Sequence, residues 1–247
     1  NNINSLITLL RCMERYGVQH LVFSSSCTVY GQPTAEHLPI TESAPRQDAT
    51  SPYGNTKRIN EDVIIDSVRS GMPLQAVILR YFNPIGAHPS ALIGELPNGV
   101  PNNLIPFLTQ TVAGLRKELV VFGNDYNTPD GTCIRDYIDV MDLAQAHLAA
   151  LRRLHRSDVQ TAPAHYIYNV GMGRGLSVLE LIQAFERATG RKVPYRMGDR
   201  RAGDIEQIWA DTSYGEQELQ WHAEIPIEES LRRAWHWQEA LDKRDNN

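Results

Sequence analysis

The chain has 247 residues, of which 42% are hydrophobic and 21% are charged, and its formal net charge is −5. This composition is typical of a globular protein with a sizeable core, and the negative balance leaves no broad basic surface for nucleic acid. Three cysteines lie far apart and the eight histidines show no zinc-like spacing, so we expect no disulfide framework, no metal site and a reducing, cytoplasmic setting. We expect no membrane association either, because no apolar run reaches the roughly 18 residues of a membrane span.

The first elements alternate between helix and strand. NNINSLITLLRCMERYG has apolar residues at helical spacing, QHLVFSSS predicts a buried strand, and SPYGNTKRINEDVIIDSVRSG predicts a helix capped by Ser51 and ended by Gly71. MPLQAVILRYFNP predicts a second strand, which Pro84 ends. This alternation indicates a parallel sheet. Because the chain opens directly into a helix, we expect an upstream part to precede Asn1.

The remaining elements are less regular. PNNLIPF leads into a helix, ELVVFG and CIRDYIDV predict strands, and DVMDLAQAHLAALRRLH predicts an amphipathic helix. AHYIYNVG predicts a strand, while SVLELIQAFERATG and IEESLRRAWHWQEAL predict helices, the last with WHWQ packed in the core. No linker separates two domains, so we expect them to be interleaved.

A glycine cluster stands between the strand AHYIYNVG and the helix that follows it. Gly171, Gly173 and Gly175 occupy the place of a dinucleotide-binding fingerprint, but position 176 is leucine and the required spacing fails. We therefore interpret the cluster as a tight turn. No G-x-x-G-x-x-G occurs elsewhere, so a phosphate-binding loop, if there is one, is expected in the upstream part.

SPYGNTK contains the best candidate for acid–base chemistry. Tyr53 and Lys57 stand four residues apart, which places them on one face of a helix. A phenol is a poor base at neutral pH, but nearby positive charge favours the phenolate. Ser26, at the end of the preceding strand, could share the proton and the substrate hydroxyl. Taken alone, Y-x-x-x-K is weak evidence, and an exposed Tyr–Lys pair beside a serine-rich strand end explains it slightly better.

Further motifs decide between these interpretations. The chain resembles the extended short-chain dehydrogenase/reductase enzymes, and among them the UDP-glucose 4-epimerase family. The resemblance rests on SSSCTVYG, SPYGNTK, RYFNPIGAHPS, PNNLIPF, FGNDYNTPDGTCIRDYIDVMDLA, YNVGMGRGLSV, RRAGD and WHWQ.

The resemblance implies an α/β fold in which the C-terminal part of a Rossmann-type parallel sheet is interleaved with a smaller α/β substrate-binding domain. Residues 1–83 and 139–175 would belong to the NAD-binding domain, and residues 84–138 and 176–247 to the UDP-sugar domain. It further implies NAD as the cofactor, 4-epimerisation of a UDP-hexose through a 4-keto intermediate, and a homodimer formed by the helices near residues 2–16 and 52–70. Because the family's glycine-rich half is not in this sequence, we expect the 247 residues alone to bind NAD weakly or not at all and to be inactive.

Site residues follow from the same resemblance. Ser26, Tyr53 and Lys57 match the catalytic triad. The positions that match contacts to the cofactor are the same three residues together with Asn1 and Phe82. The positions that match contacts to the UDP-sugar are Asn83, Asn103, Val120, Phe122, Arg135, Arg201, Asp204 and Ile208. Arginine forks suit the two phosphates. Ile208 stands where several family members carry tyrosine, so UDP-glucose and UDP-galactose are the expected substrates, with room for some activity on the N-acetylated pair.

Other readings remain open. Nucleotide-sugar 4,6-dehydratases look similar but carry an Asp-Glu pair where this chain has Cys27 and Thr28, and nucleotide-sugar decarboxylases match less well. A non-catalytic fragment is the alternative from a different class.

Overall fold

The computed structural model describes residues 2–156 and 162–245. The helices in chain order are α1 Asn2–Tyr16, α2 Pro52–Arg69, α3 Leu104–Val112, α4 Val140–Leu154, α5 Val178–Thr189, α6 Ser213–Leu219 and α7 Ile227–Asp245. The strands are β1 His20–Ser26, β2 Gln75–Tyr81, β3 Asn83–Ile85, β4 Leu119–Phe122, β5 Ile134–Asp139, β6 Ala164–Val170, β7 Gly175–Ser177, β8 Tyr195–Gly198 and β9 Gln207–Ile208.

The chain divides into two compact units, each built from three separate segments. Unit 1 comprises Asn1–Phe82, Ala144–Gly173 and Ile208–His222, and unit 2 comprises Asn83–Leu143, Arg174–Gln207 and Ala223–Asn247. The α/β class and the interleaving expected from the sequence are confirmed.

Unit 1 is organised around a parallel sheet with the strand order β1-β2-β6. The central strand β2 is buried at six of its seven positions, as expected for a strand covered on both faces. Leu6, Leu10 and Met13 of α1 pack with Ile64 and Val68 of α2 in one hydrophobic cluster. Leu6 and Leu10 therefore belong to the chain's own core, and a dimer through these helices would have to use other positions.

Unit 2 combines two small sheets with three helices. Strand β5 pairs in parallel with β3 and antiparallel with β7, while β4 pairs in parallel with β8. The core between the helices includes Leu108 of α3, Phe185 of α5 and Trp235 of α7, with the last two rings edge to face at 6.2 Å. Ser177 and Glu180 form a capping box at the start of α5, which explains why this helix begins where it does.

Several short elements were not expected from the sequence. Strand β2 ends at Tyr81, before Pro84, and Asn83–Ile85 forms the separate short strand β3 beside β5. The glycine cluster is followed by β7 before α5 begins, and α6 and β8 carried no clear pattern.

The sequence-based division placed all of 176–247 in one domain and 139–143 in the other. Instead 139–143 belongs to unit 2 and 208–222 belongs to unit 1. Residues 208–222 belong to unit 1 because Ala210 forms a β-bridge with Ile40. Gly215 also lies close to β6, where a Cβ would sit 2.9 Å from the Asn169 carbonyl oxygen.

Two expectations from the composition concern the cysteines and a membrane-spanning helix. Cys12 is exposed, Cys27 and Cys133 are buried, and none of the three forms a disulfide in the part of the chain that the structure describes. Among the described residues, no helix combines the length and the apolar character needed to cross a bilayer.

Candidate functional site

The first turn of α2 lies against the turn that follows β1. Ser51 caps the helix by accepting a hydrogen bond from the Gly54 N–H at 3.1 Å. A Cβ at Gly54 would lie 3.1 Å from the carbonyl oxygen of Thr28, a distance that real Cβ contacts rarely show. Glycine at this position thus allows the helix that carries Tyr53 and Lys57 to approach the end of β1 closely.

Lys57 is held by the backbone of β1. Its Nζ donates to the Ser24 carbonyl oxygen at 2.7 Å and lies 5.5 Å from the centre of the Tyr53 ring. Burial lowers the pKa of the Lys57 ammonium, and no carboxylate within the described residues forms an ion pair with it. The positive charge of Lys57 is therefore available to the phenol beside it.

Tyr53 has an accessible side chain, with 47% of its surface exposed. Burial of the remainder raises the pKa of its phenol, and interactions with Tyr81 and Cys27 raise it further. The phenol is therefore protonated at neutral pH in this structure. Acting as a base would require additional positive charge close to it.

The three serines at the end of β1 have different partners. Ser24 Oγ lies 3.0 Å from His147 Nε2, and Ser25 Oγ donates to Glu61 Oε1 at 2.5 Å. Ser26 Oγ accepts the Thr28 N–H at 3.2 Å, which leaves its own O–H to donate to another group. The choice of Ser26 over Ser25 as the relay is consistent with this difference, because the Ser25 hydroxyl is already committed to a buried carboxylate.

Unit 2 contains a cavity of about 480 Å³, a size typical of small-molecule sites. Seven of the residues assigned to the UDP-sugar line it, namely Asn83, Asn103, Val120, Phe122, Arg135, Arg201 and Asp204. Because these residues are spread from position 83 to position 204, the fold of unit 2, and not their proximity in the sequence, brings them to one cavity.

The two arginines of the cavity donate hydrogen bonds to different kinds of acceptor. Arg135 Nη1 donates to the carbonyl oxygens of Ile134 at 2.8 Å and Glu206 at 3.4 Å. Arg201 pairs with Asp204 at 2.7 Å, and its guanidinium lies 5.6 Å from the centre of the Phe122 ring. The hydrogen bond that Arg201 donates to the Asp204 carboxylate raises the pKa of Arg201 above its usual range. Guanidinium groups suit the binding of a dianionic ligand.

Sequence reasoning missed Glu95, which also lines this cavity. Its carboxylate accepts a hydrogen bond from Asn103 Nδ2 at 2.7 Å. Glu95 stands in a turn-rich stretch without periodicity, and an acidic residue is not expected in a pocket for phosphates. No simple pattern in the sequence would have pointed to it.

Neither Phe82 nor Ile208 lines the cavity. Phe82 is buried at the end of β2, where its N–H donates to the Val170 carbonyl oxygen at 3.1 Å. Ile208 is only 1% exposed and is not a lining residue of the cavity. Asn1 lies outside the described residues. Their assigned roles remain predictions.

The glycine cluster forms a turn. Gly173 has φ +70°, a value that favours glycine, and a Cβ there would lie 3.2 Å from Thr212 Oγ1. Gly175 already belongs to β7, so no helix begins directly after the glycines.

Comparison with known proteins agrees with this geometry. Residues 1–171 match the model of the NAD dependent epimerase/dehydratase family. UDP-glucose 4-epimerase 2 of Arabidopsis thaliana is 51% identical over 237 residues, which cover 96% of this chain and 66% of that protein. The chain thus spans about two thirds of the length of the curated relatives it matches.

Solved structures give the same result. A UDP-glucose-4-epimerase from Stenotrophomonas maltophila, crystallised with NAD and formylated UDP-arabinopyranose, superposes with a TM-score of 0.92 at 48% identity, covering 98% of this chain and 70% of that one. The UDP-glucose 4-epimerase of Bifidobacterium longum, in complex with NAD+ and UDP, gives 0.91 at 43% identity with the same two coverages. Together with the geometry of Tyr53, Lys57 and the arginine-lined cavity, these matches show that the chain belongs to the NAD dependent epimerase/dehydratase family.

Proposed function

We propose that the chain provides the acid–base residues and the nucleotide cavity for NAD-dependent 4-epimerisation of a UDP-hexose, with UDP-glucose and UDP-galactose as the pair. The observation that carries this proposal is the cavity of unit 2, where Arg135 and Arg201 stand among residues that the epimerase resemblance assigns to UDP. The relatives named above, which are UDP-glucose 4-epimerases, support it.

The end of β1 fits a bound cofactor. Thr28 Oγ1 is buried and has no hydrogen-bond partner among the described residues, so a ligand hydroxyl could satisfy it. The resemblance assigns further contacts with NAD to Ser26, Tyr53, Lys57 and Phe82, and to Asn1 outside the described residues. Bound there, NAD would supply a reversible hydride acceptor for C4 of the sugar.

The side chains of unit 1 would handle the proton. Tyr53 removes the proton of the sugar 4-hydroxyl as its phenolate, and it returns that proton when the 4-keto group is reduced. Lys57, with its charge near the Tyr53 ring, stabilises the phenolate, and the Ser26 hydroxyl donates to the reacting oxygen. The raised pKa of Tyr53 means that the base form needs a second positive charge, which a nicotinamide cation would provide.

The side chains of unit 2 would hold the nucleotide. Arg135 and Arg201 bind phosphate oxygens, and Asp204, held against Arg201, can accept from a ribose hydroxyl. Val120 and Phe122 on β4 offer apolar contacts for uracil. Ile208 would affect which sugars are accepted, although its burial leaves little surface for direct contact.

Two further parts of the proposal concern the cellular form. We propose a cytoplasmic homodimer, in which the exposed sides of α1 and α2 pack against their symmetry mates. Leu9 and Tyr16 of α1 are exposed hydrophobic residues in this region. Sedimentation that finds only monomer at micromolar concentration would contradict the dimer.

The test of function uses the protein expressed from its complete gene and supplied with NAD. Conversion of UDP-galactose to UDP-glucose is followed for wild type and Tyr53→Phe, with Tyr195→Phe as a control on an exposed tyrosine of β8. We expect kcat to fall by about 10²- to 10⁴-fold in the first variant, the usual size of a general-base loss, and to stay unchanged in the control. Wild-type kcat in Tyr53→Phe would exclude Tyr53 as the base, and inactivity of the wild-type protein would contradict the proposed reaction.

A further inference from the structure

The loop 88–100 forms one side of the nucleotide cavity but contributes few core residues of its own. Leu92, Ile93, Leu96 and Val100 in this loop are between 64% and 67% exposed. Glu95 and Val100 nevertheless line the cavity. Because so much of its apolar surface points to solvent, the position of the loop must depend on a small number of anchoring contacts.

Those contacts converge on Trp237 of α7. The Trp237 indole N–H donates to the Glu95 carbonyl oxygen at 2.9 Å. Gly94 lies against the same ring, where a Cβ would come within 2.4 Å of a ring carbon. Arg244 lies 5.5 Å from the centre of the ring and donates to the Ala91 carbonyl oxygen at 3.4 Å. One face of α7 thus holds residues 91–95 by their backbone.

The anchored loop then acts on the start of α3. Asn103 is the N-cap residue of α3, yet its side chain makes no capping hydrogen bond. Its amide donates instead to the Glu95 carboxylate at 2.7 Å. The first N–H groups of a helix have no partner within the helix, and here the residue that would normally cap them is drawn away from them. The first turn of α3, which lines the cavity from Leu104 onwards, therefore remains uncapped by Asn103.

We propose that Trp237 is a positioning residue for the nucleotide cavity. It fixes Glu95, and Glu95 holds the Asn103 side chain away from the start of α3, so that this turn is presented to the phosphates of the ligand. The inference rests on the proposed function for the identity of the ligand. The anchoring itself rests only on contacts within unit 2.

The neighbouring tryptophan has a different environment, although both belong to WHWQ. Trp235 packs edge to face on Phe185 within the main core of unit 2, and Arg191 lies 5.6 Å from its ring centre. It is not a lining residue of the cavity. The interpretation of WHWQ as core packing therefore holds for Trp235, while Trp237 holds the loop.

The experiment compares Trp237→Phe, which keeps a ring but removes the donor, with Trp235→Phe as the matched control. Gly94→Ala is a second variant, since its methyl group would push the loop off an intact Trp237. Two quantities are measured on the 247-residue chain, namely amide hydrogen exchange over residues 88–103 without ligand and the Kd for UDP by calorimetry.

We expect faster exchange over 88–103 in Trp237→Phe and in Gly94→Ala, with the strands of unit 2 unchanged. The Kd for UDP should rise by about 3- to 10-fold, the size of one lost hydrogen bond. Trp235→Phe should lower the unfolding midpoint but leave both quantities at their wild-type values.

The outcomes separate the two proposals. Wild-type exchange over 88–103 in Trp237→Phe would overturn the positioning role, whatever the chain binds. Faster exchange with an unchanged UDP affinity would also overturn it, because the loop would then not matter to the ligand. A wild-type chain that binds no UDP would overturn the nucleotide site of the proposed function, while the exchange comparison would still decide whether Trp237 anchors the loop.

Discussion

Each unit contains an arginine–carboxylate pair of the same length, but the two pairs differ in burial. Arg80 and Glu61 in unit 1 lie 2.7 Å apart with side chains 4% and 0% exposed. Arg201 and Asp204 in unit 2 also lie 2.7 Å apart, with side chains 55% and 13% exposed. Equal distance therefore does not mean equal function: the first pair has no access to a ligand, whereas the second lines a cavity.

The buried pair joins the sheet to the helix that carries the proposed base. Arg80 stands in register with Ser25 on β1 and with Asn169 on β6. Its guanidinium binds both oxygens of Glu61, at 3.0 and 2.7 Å, and Ser25 donates to the same carboxylate. Glu61 stands one helical turn after Lys57, so this bidentate contact fixes the orientation of α2 against the end of β1.

The largest expected effect comes from breaking that pair. Arg80→Met removes the bidentate partner of the buried Glu61 carboxylate and leaves Arg46, whose Nη1 lies 3.5 Å from Glu61 Oε2, as its cation. The free energy of unfolding should fall by about 3 kcal/mol, the low end of the cost of breaking a buried ion pair. Urea unfolding followed by circular dichroism measures this change. The double variant Arg80→Met/Glu61→Leu should recover most of the loss, because removing both charges is far less costly than removing one.

A loss below about 1 kcal/mol in the single variant would place this pair among surface ion pairs. The contrast between the two units would then fail.

A smaller effect, on binding and not on stability, is expected at the exposed pair. Arg201→Ala should raise the Kd for UDP by about 10- to 100-fold, since a charge-assisted hydrogen bond contributes about 1.5–3 kcal/mol. It should change the free energy of unfolding by less than about 1 kcal/mol. Calorimetric titration with UDP and urea unfolding give the two numbers on the same preparation.

The adjacent arginine offers a matched control. Arg200 forms a similar pair with Asp125 at 2.7 Å and lies 4.1 Å from the centre of the Tyr126 ring. It is not a lining residue of the cavity, so Arg200→Ala should leave UDP affinity unchanged. Equal losses of affinity in the two variants would mean that general positive charge, and not the cavity, attracts the nucleotide.

Much of the fold could be predicted because long elements carry clear periodicity. The apolar spacing of α1 and the continuous apolar run of β2 are confirmed by the cluster and the buried strand that they form. Strand β3 was missed because it has three residues and contains Pro84. Residues 208–222 were assigned to the wrong side of the domain boundary because a return of the chain leaves no local signal.

The acid–base pair and the cavity also differ in how far the sequence alone predicts them. Tyr53 and Lys57 are neighbours on one helix, so their spacing alone predicts a shared face. The cavity residues come from distant segments, and only the family resemblance brought them together. Glu61 and Arg80 were missed altogether, because a charged residue in a helix or a strand is usually expected to face solvent. Their pairing in the core depends on tertiary structure that no pattern in the sequence shows.

The smallest expected effect concerns a carboxylate of unit 2 that is held by hydrogen bonds and, within residues 2–156 and 162–245, has no arginine partner. Partial burial would raise the pKa of Asp130, but hydrogen bonds from Ser177 and Thr132 outweigh it and lower the pKa below 3.8. Because the folded state binds this proton less tightly than the unfolded state, Asp130 stabilises the fold fully above pH 3.8, and its contribution is lost as the pH falls through the lowered pKa. In Asp130→Asn the unfolding midpoint should therefore be lower at neutral pH and should fall less steeply in acid than that of wild type.

Asp125→Asn is the control, since Arg200 lowers the pKa of that exposed carboxylate and about 0.5 M salt should screen the contribution, whereas the Asp130 effect should persist. Parallel acid limbs for wild type and Asp130→Asn in high salt would show that the hydrogen bonds to Asp130 do not favour its ionised form.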